Sequence, residues 1–339
     1  MNEDFLNNKV VLITGGTGSF GNRFAEIVLK KHNLKKLIIF SRDELKQFEM
    51  SKKFKKYEKK IRFLLGDIRD LARLDFALNN VDVVIHAAAL KQVPSSEYNP
   101  FEVVKTNILG TQNVIDACIK NKVAKIISLS TDKASSPTNL YGASKLTADK
   151  LIVAANNYVD NKISKFSVVR YGNVMMSRGS VILEFLEQKK TGIINITEAN
   201  MTRFSITLEE GINFVMISLH RMWGGEVFIP KIPSYKITDL AMAVASKCRI
   251  NIIGLRAGEK IDEEMISQSD ALNTVEFKNY FVILPSYKDH MQWDIEKFRL
   301  KSGPQIGKFC KEKFSYSSKN NVFLKIKQLK SLINKEIKL

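Results

Sequence analysis

Six short runs of apolar, largely β-branched residues punctuate the first half of the chain: Val10–Gly15, Lys36–Phe40, Ile61–Gly66, Val81–Ala89, Ala124–Ser130 and Lys165–Arg170. They read as strands covered on both faces, the habit of a parallel sheet. Stretches with apolar positions at helical spacing separate them. Such alternation predicts an α/β fold, a Rossmann-like doubly wound parallel sheet with right-handed crossovers. Beyond about Tyr171 the pattern loosens, and Gly224–Val244 reads as strand, turn and helix. No Gly/Ser linker and no fixed-period repeat divides the chain. The expected organisation is a sheet domain over 1–170 and a smaller lobe over 171–339, interleaved with the first.

Composition adds few constraints. At 339 residues and 45% hydrophobic content the chain can bury a real core. It lacks an apolar run long enough to span a bilayer, and its first residues lack the order of a signal peptide, so a soluble cytoplasmic protein with no membrane partner is expected. Cys118, Cys248 and Cys310 are scattered and no HExxH occurs, so no metal is expected. The net charge of +18 stands out. Much of it lies in Lys46–Lys60 and Lys325–Leu339, where apolar residues recur among the lysines as on solvated helix faces. An RNA-binding surface would add glycines and a stacking platform, so no nucleic-acid partner is expected.

Candidate chemistry begins after the first strand. Gly15, Gly16, Gly18 and Gly21 satisfy both GxGxxG and GxxGxxG, with Ser19 and Phe20 inside the turn. Between a strand and a helix, such a turn brings the backbone close to a pyrophosphate, whose charge meets free N–H groups at the helix N-terminus. The second strand ends in Ser41, Arg42 and, one helical turn on, Lys46, where an NAD-binding protein usually presents an acid. A hydroxyl and two cations suit a 2′-phosphate, so NADP is the expected cofactor. Asp43 is read as the cap of the helix from Glu44. Asp67 and Ile68 follow the third strand at the adenine edge, and Ala87 and Lys91 follow the fourth.

The segment Ser130–Lys145, STDKASSPTNLYGASK, holds the reactive set. Tyr141 and Lys145 are four apart and share a helix face, so the lysine's charge can lower the phenol's pKa and let it take a proton from a substrate hydroxyl. Ser130 and Thr131 close the fifth strand beside Asp132 and Lys133.

Together these motifs resemble the extended, sugar-nucleotide branch of the short-chain dehydrogenase/reductase superfamily, over about Lys9 to Ser267. Within it, STDK followed by PTNLYGASK is similar to the inverting UDP-N-acetylglucosamine 4,6-dehydratases that open the pseudaminic acid pathway for flagellin or surface glycans. The resemblance implies that Tyr141 serves C4 of the sugar, that Asp132 donates to the leaving C6 hydroxyl, and that Lys133, kept neutral by a desolvated pocket, is the base at C5, with Thr131 in the catalytic set. It leaves reprotonation of C5 between Lys133, Tyr141 and water. It further implies that Asn173 contacts the sugar nucleotide, with Ser130 and Thr131 at the strand end and Lys91 expected there from its own place after an apolar strand end, that Val174 and Arg178 close over the nicotinamide half, and that Arg203 or Arg256 faces the phosphates. Ala257 and Asp262 stand where relatives often carry Pro and His. The implied partner is UDP-N-acetylglucosamine, and the implied assembly a dimer or hexamer.

Overall fold

The six strands take their places in one sheet: β1 (Val10–Thr14), β2 (Lys36–Ser41), β3 (Ile61–Leu65), β4 (Val83–His86), β5 (Lys125–Thr131) and β6 (Lys165–Tyr171). Their order is β3-β2-β1-β4-β5-β6, all parallel, in a computed structural model that describes residues 5–160, 163–286, 293–300 and 306–337. This is the Rossmann order, in which the chain reverses direction between β1 and β4 and opens a crevice at the strands' carboxyl ends. The β-branched composition has its reason here, since Leu12, Ile13, Leu37, Ile39, Ile85 and Ile127 are fully buried between the helical layers. β3 departs from the expectation of burial on both faces: it ends the sheet, and Arg62 and Leu65 are exposed.

The sheet continues past β6. Val227–Pro230 adds a parallel strand, and Tyr280–Ile283, Thr274–Glu276 and Lys308–Phe309 follow antiparallel, ten strands among the described residues. A second buried cluster forms around the helices Val181–Gln188, Ile237–Ala245 and Ile326–Ile337. Leu329 and Ile333 of the last helix are buried in it, each contributing about 1.5–3 kcal/mol if fully withdrawn from water. The basic C-terminal stretch is therefore, as far as 337, an amphipathic helix with its lysines outward. Among the described residues no helix is long and apolar enough to cross a membrane, and no group of three or more His, Cys, Asp or Glu could hold a metal ion.

Candidate active site

A cleft of about 780 Å3 opens at the carboxyl ends of β1, β4 and β5. Its floor is the glycine turn. Gly15 has φ +63°, and a Cβ there would stand 2.8 Å from the Ala88 Cα, so glycine is needed both for the turn and for the approach of the strand after β4. The helix α1 (Ser19–Lys31) starts at Gly18, whose lack of a side chain leaves the first N–H groups of the helix uncapped and facing the cleft. Behind the turn, Thr14 Oγ1 accepts from the Ala87 and Ala88 N–H groups and bonds His86 Nδ1 at 2.8 Å, while His86 Nε2 bonds Thr111 Oγ1 at 3.0 Å. Thr111 donates onward to the Asn107 carbonyl. The chain closes if His86 is the neutral Nε2–H tautomer, and burial, with the charge of Lys145, pushes its pKa down to about 3. This buried relay holds the loop after β4 against the turn.

At the far end of the cleft Ser41 accepts from Thr17 Oγ1 and from Gln47. Arg42 lies 3.7 Å from Asp67, and Lys46 pairs with Asp43. Asp43 also accepts from the Lys46 N–H at 2.9 Å and so caps the helix α2 (Glu44–Lys53), the role read from the sequence. Ser41, Arg42, Lys46, Asp67, Ile68 and Ala87 all line the cleft. Gly21 lies behind it, packed on the Gly16 backbone.

The reactive segment crosses the cleft's centre. Asn139 caps the helix Leu140–Ala154 by accepting from the Gly142 N–H at 2.8 Å, which sets Tyr141 and Lys145 on the face toward the cleft. Lys145 is only 4% exposed, and among the described residues no acceptor reaches its ammonium. A buried lysine and an uncapped helix start lining one cleft fit a dinucleotide's ribose and pyrophosphate. Burial pushes the Tyr141 phenol up to about 12, opposed by the charge of Lys133 and a hydrogen bond with Thr131. Lys133 is thus a cation that favours the phenolate.

Lys133 itself differs from expectation. Burial works against its charge, yet the Asp132 and Glu263 carboxylates more than reverse that, so its pKa is raised. Its ammonium meets Glu263 Oε1 at 2.8 Å, Asp132 Oδ1 at 3.2 Å and Asn173 Oδ1 at 3.5 Å. Lys133 is therefore a charged, fully partnered ammonium and not a neutral amine. Asp132 is completely buried and does not line the cleft; it reaches it through Thr131, whose hydroxyl donates to Oδ1 at 3.0 Å, and through Lys133. Burial raises the Asp132 pKa, as suits a proton donor, while Lys133 and Arg203 outweigh burial at Glu263 and lower its pKa.

Two substrate candidates have other employment. Ser130 donates to Asp149 Oδ2 at 2.7 Å, within a buried network completed by Arg170. Arg203 donates to the Thr202, Ile261 and Lys260 carbonyls and lies 3.7 Å from Glu263, so its guanidinium holds a loop and is not free for phosphates. Arg256, about half exposed at the cleft rim, has among the described residues only a 4.0 Å contact with the equally exposed Glu184 and is the better placed of the two for that role. Lys91 donates to the Arg178 carbonyl at 3.0 Å and the Arg178 N–H to Ser19 Oγ at 3.2 Å, so the segment from Val174 is tied to the loop after β4 by the first and to the glycine turn by the second. Sequence reading missed Glu263, Tyr235 and Asn139, all in the cleft wall; Asn139 carried a signal in its place before a helical run.

A family model described as "Polysaccharide biosynthesis protein" matches residues 11–285. The chain belongs to that family. Within this polysaccharide biosynthesis family, an extended branch of the short-chain dehydrogenases/reductases, a Campylobacter jejuni protein named UDP-N-acetylglucosamine 4,6-dehydratase (inverting) is 53% identical, across 97% of this chain and 98% of its own. A Rickettsia canadensis protein named UDP-glucose 4-epimerase is 43% identical, across 81% of this chain and 83% of its own. Among solved structures, Pen from Bacillus thuringiensis has a TM-score of 0.88 at 38% identity, covering 99% of this chain and 100% of its own. DesIV of Streptomyces venezuelae, a dTDP-glucose 4,6-dehydratase, shares the fold at a TM-score of 0.65 and 20% identity, across 74% of this chain and 86% of its own.

Proposed function

We propose that the protein is an inverting UDP-N-acetylglucosamine 4,6-dehydratase, a hydro-lyase that uses NADP and regenerates it in each cycle. The observation that carries this reading is the meeting, in one cleft beside the glycine turn, of Tyr141, Thr131 and Lys133, with Asp132 buried directly behind them. The near full-length similarity to the Campylobacter dehydratase supports the same reading. The glycine turn would hold a nicotinamide dinucleotide, which would supply the acceptor for a hydride from C4 and the donor of the same hydride to C6. The chain's own groups manage the protons. Tyr141 takes the proton of the C4 hydroxyl; Lys133 removes the proton at C5, acidified by the C4 ketone; and the proton of Asp132 reaches the departing C6 hydroxyl by way of Thr131. As hydride returns to C6, C5 takes back one proton on its opposite face, so that the sugar's net loss is one water. Lys145 holds the cofactor ribose, Ser41, Arg42 and Lys46 take the 2′-phosphate, and Asn173, Lys91 and Arg256 hold the sugar nucleotide.

The residues of 171–339 outside the main sheet serve as the substrate lobe, in a cytoplasmic homo-oligomer that performs the first step of pseudaminic acid synthesis. Proton NMR of the protein with UDP-N-acetylglucosamine in heavy water tests the reaction. The reading requires loss of the C5 proton signal, growth of a 6-deoxy methyl resonance and ring couplings of the inverted sugar. An unchanged spectrum with cofactor confirmed bound would overturn it.

A further inference from the structure

If Lys133 is the base at C5, its ammonium must first lose a proton, and the structure offers few places for that proton to go. The groups facing Lys133 are Asp132 and Thr131 beside it in the chain, Tyr141 on the following helix, Asn173 after β6, Tyr235, and Glu263 with Arg203 behind it. Asn173 presents an amide oxygen, which cannot hold a proton. Arg203 is a cation. Asp132 is the donor to the leaving hydroxyl. Glu263 makes the shortest contact, 2.8 Å through Oε1, while its Oε2 is buried with no hydrogen-bond partner. It is 2% exposed, yet it lines the cleft.

We infer that Glu263 is a positioning residue for the dehydration, the proton partner that converts the Lys133 ammonium into the amine that acts at C5. The inference rests on the dehydratase reading. The Lys133 ammonium passes a proton to Glu263 Oε1, giving a neutral amine and a neutral acid. The amine takes the proton at C5; the C5–H electron pair forms the C5–C6 double bond as the C6–O bond breaks, and the departing hydroxyl leaves as water with the proton of Asp132. Lys133 is then again an ammonium, Glu263 protonated and Asp132 ionised. Because the Lys133 Nζ touches both carboxyl groups, at 2.8 and 3.2 Å, the extra proton on Glu263 returns through it to Asp132. The starting charges are restored without an outside acid or base.

Arg203 completes the arrangement. Fixed by three carbonyls and 3.7 Å from Glu263 Oε1, it keeps the carboxylate ionised and aimed at Lys133 between turnovers. Glu263 comes from a segment about 130 residues further along the chain, so closing that segment on the reactive loop is what equips the lysine for its task.

The test compares the wild-type protein with Glu263→Gln and Glu263→Asp, reading exchange of the C5 proton in heavy water and binding of UDP-N-acetylglucosamine by calorimetry. Glu263→Gln is expected to slow exchange by about 100-fold or more, the scale of a lost acid–base group, with the sugar nucleotide's Kd changed by less than about threefold. Glu263→Asp, which keeps a carboxylate set back by one methylene, is expected to exchange faster than Glu263→Gln and to bind equally well. Wild-type rates in Glu263→Gln would overturn the inference. So would a parallel loss of binding and exchange, the mark of a purely structural residue. If Glu263→Gln does not fold, Glu263→Asp decides: slower exchange than wild type with intact binding supports the inference, and an unchanged rate overturns it. Absence of exchange in the wild-type protein would instead sink the dehydratase reading.

Discussion

Adding one methyl group at Gly21 tests how closely the helix start must approach the turn. A Cβ there would stand 2.1 Å from the Gly16 carbonyl oxygen, against 3.4 Å for the start of ordinary contact, so turn and helix must part by about 1.3 Å. They cannot part freely. Phe24 and Val28 of α1 and Ile13 of β1 are fully buried, and overpacking of this kind costs about 1–3 kcal/mol. The same displacement carries the first N–H groups of α1 away from the pyrophosphate. At about 1.4 kcal/mol per tenfold, losing 1–3 kcal/mol of that interaction weakens cofactor binding by roughly 5- to 150-fold. Gly21→Ala is therefore expected to lower the Tm by several degrees and to raise the cofactor Kd at least fivefold by calorimetry. Gly211→Ala is the control: it lies within the helix Leu208–Arg221, its added Cβ meets nothing closer than 3.9 Å, and it should stabilise slightly. A Gly21→Ala protein with wild-type Tm and cofactor affinity would refute the reasoning.

Three further outcomes follow from the geometry. Because Arg203 is committed to three carbonyls and Arg256 is half exposed at the rim, Arg203→Ala should lower the Tm, whereas Arg256→Ala should leave it unchanged and raise the KM for the UDP-sugar by about tenfold, one lost charge contact; the reverse pattern would contradict both assignments. His86 is held neutral, its pKa down at about 3 from an ordinary 6.5, so its contribution is complete above pH 6.5 and falls as the pH drops toward 3. Urea unfolding between pH 7 and 5 should show the wild type losing about 2 kcal/mol more than His86→Gln, and equal losses would refute the neutral relay. Arg42→Ala should weaken NADP by about tenfold and NAD by less than twofold, and equal weakening would turn the cofactor assignment toward NAD.

What was legible in the sequence was local. The first six strands of the sheet, the glycine turn, the Asp43 cap and the Tyr141–Lys145 helix face each depend on residues within a few positions of one another. The three antiparallel strands escaped because they span only two to four residues each and take their identity from the sheet edge they join. The charge of Lys133 was misread for a related reason. The neutral amine was what the base role implied by the resemblance required, and only folding brings Glu263 to within 2.8 Å of the lysine. Likewise Arg203 and Arg256 look alike as isolated arginines near a phosphate site, and the carbonyls that separate their roles belong to loop backbone whose course no side-chain pattern encodes.

The most direct test of the central claim follows one hydrogen. The protein, with its cofactor bound, is given UDP-N-acetylglucosamine carrying deuterium at C4, and the product is read by NMR. The dehydratase account predicts a 6-deoxy sugar with the deuterium in its C6 methyl group, carried there within a single turnover. Deuterium that returns to C4, in a sugar that keeps its C6 hydroxyl, would contradict the account and make the protein an epimerase.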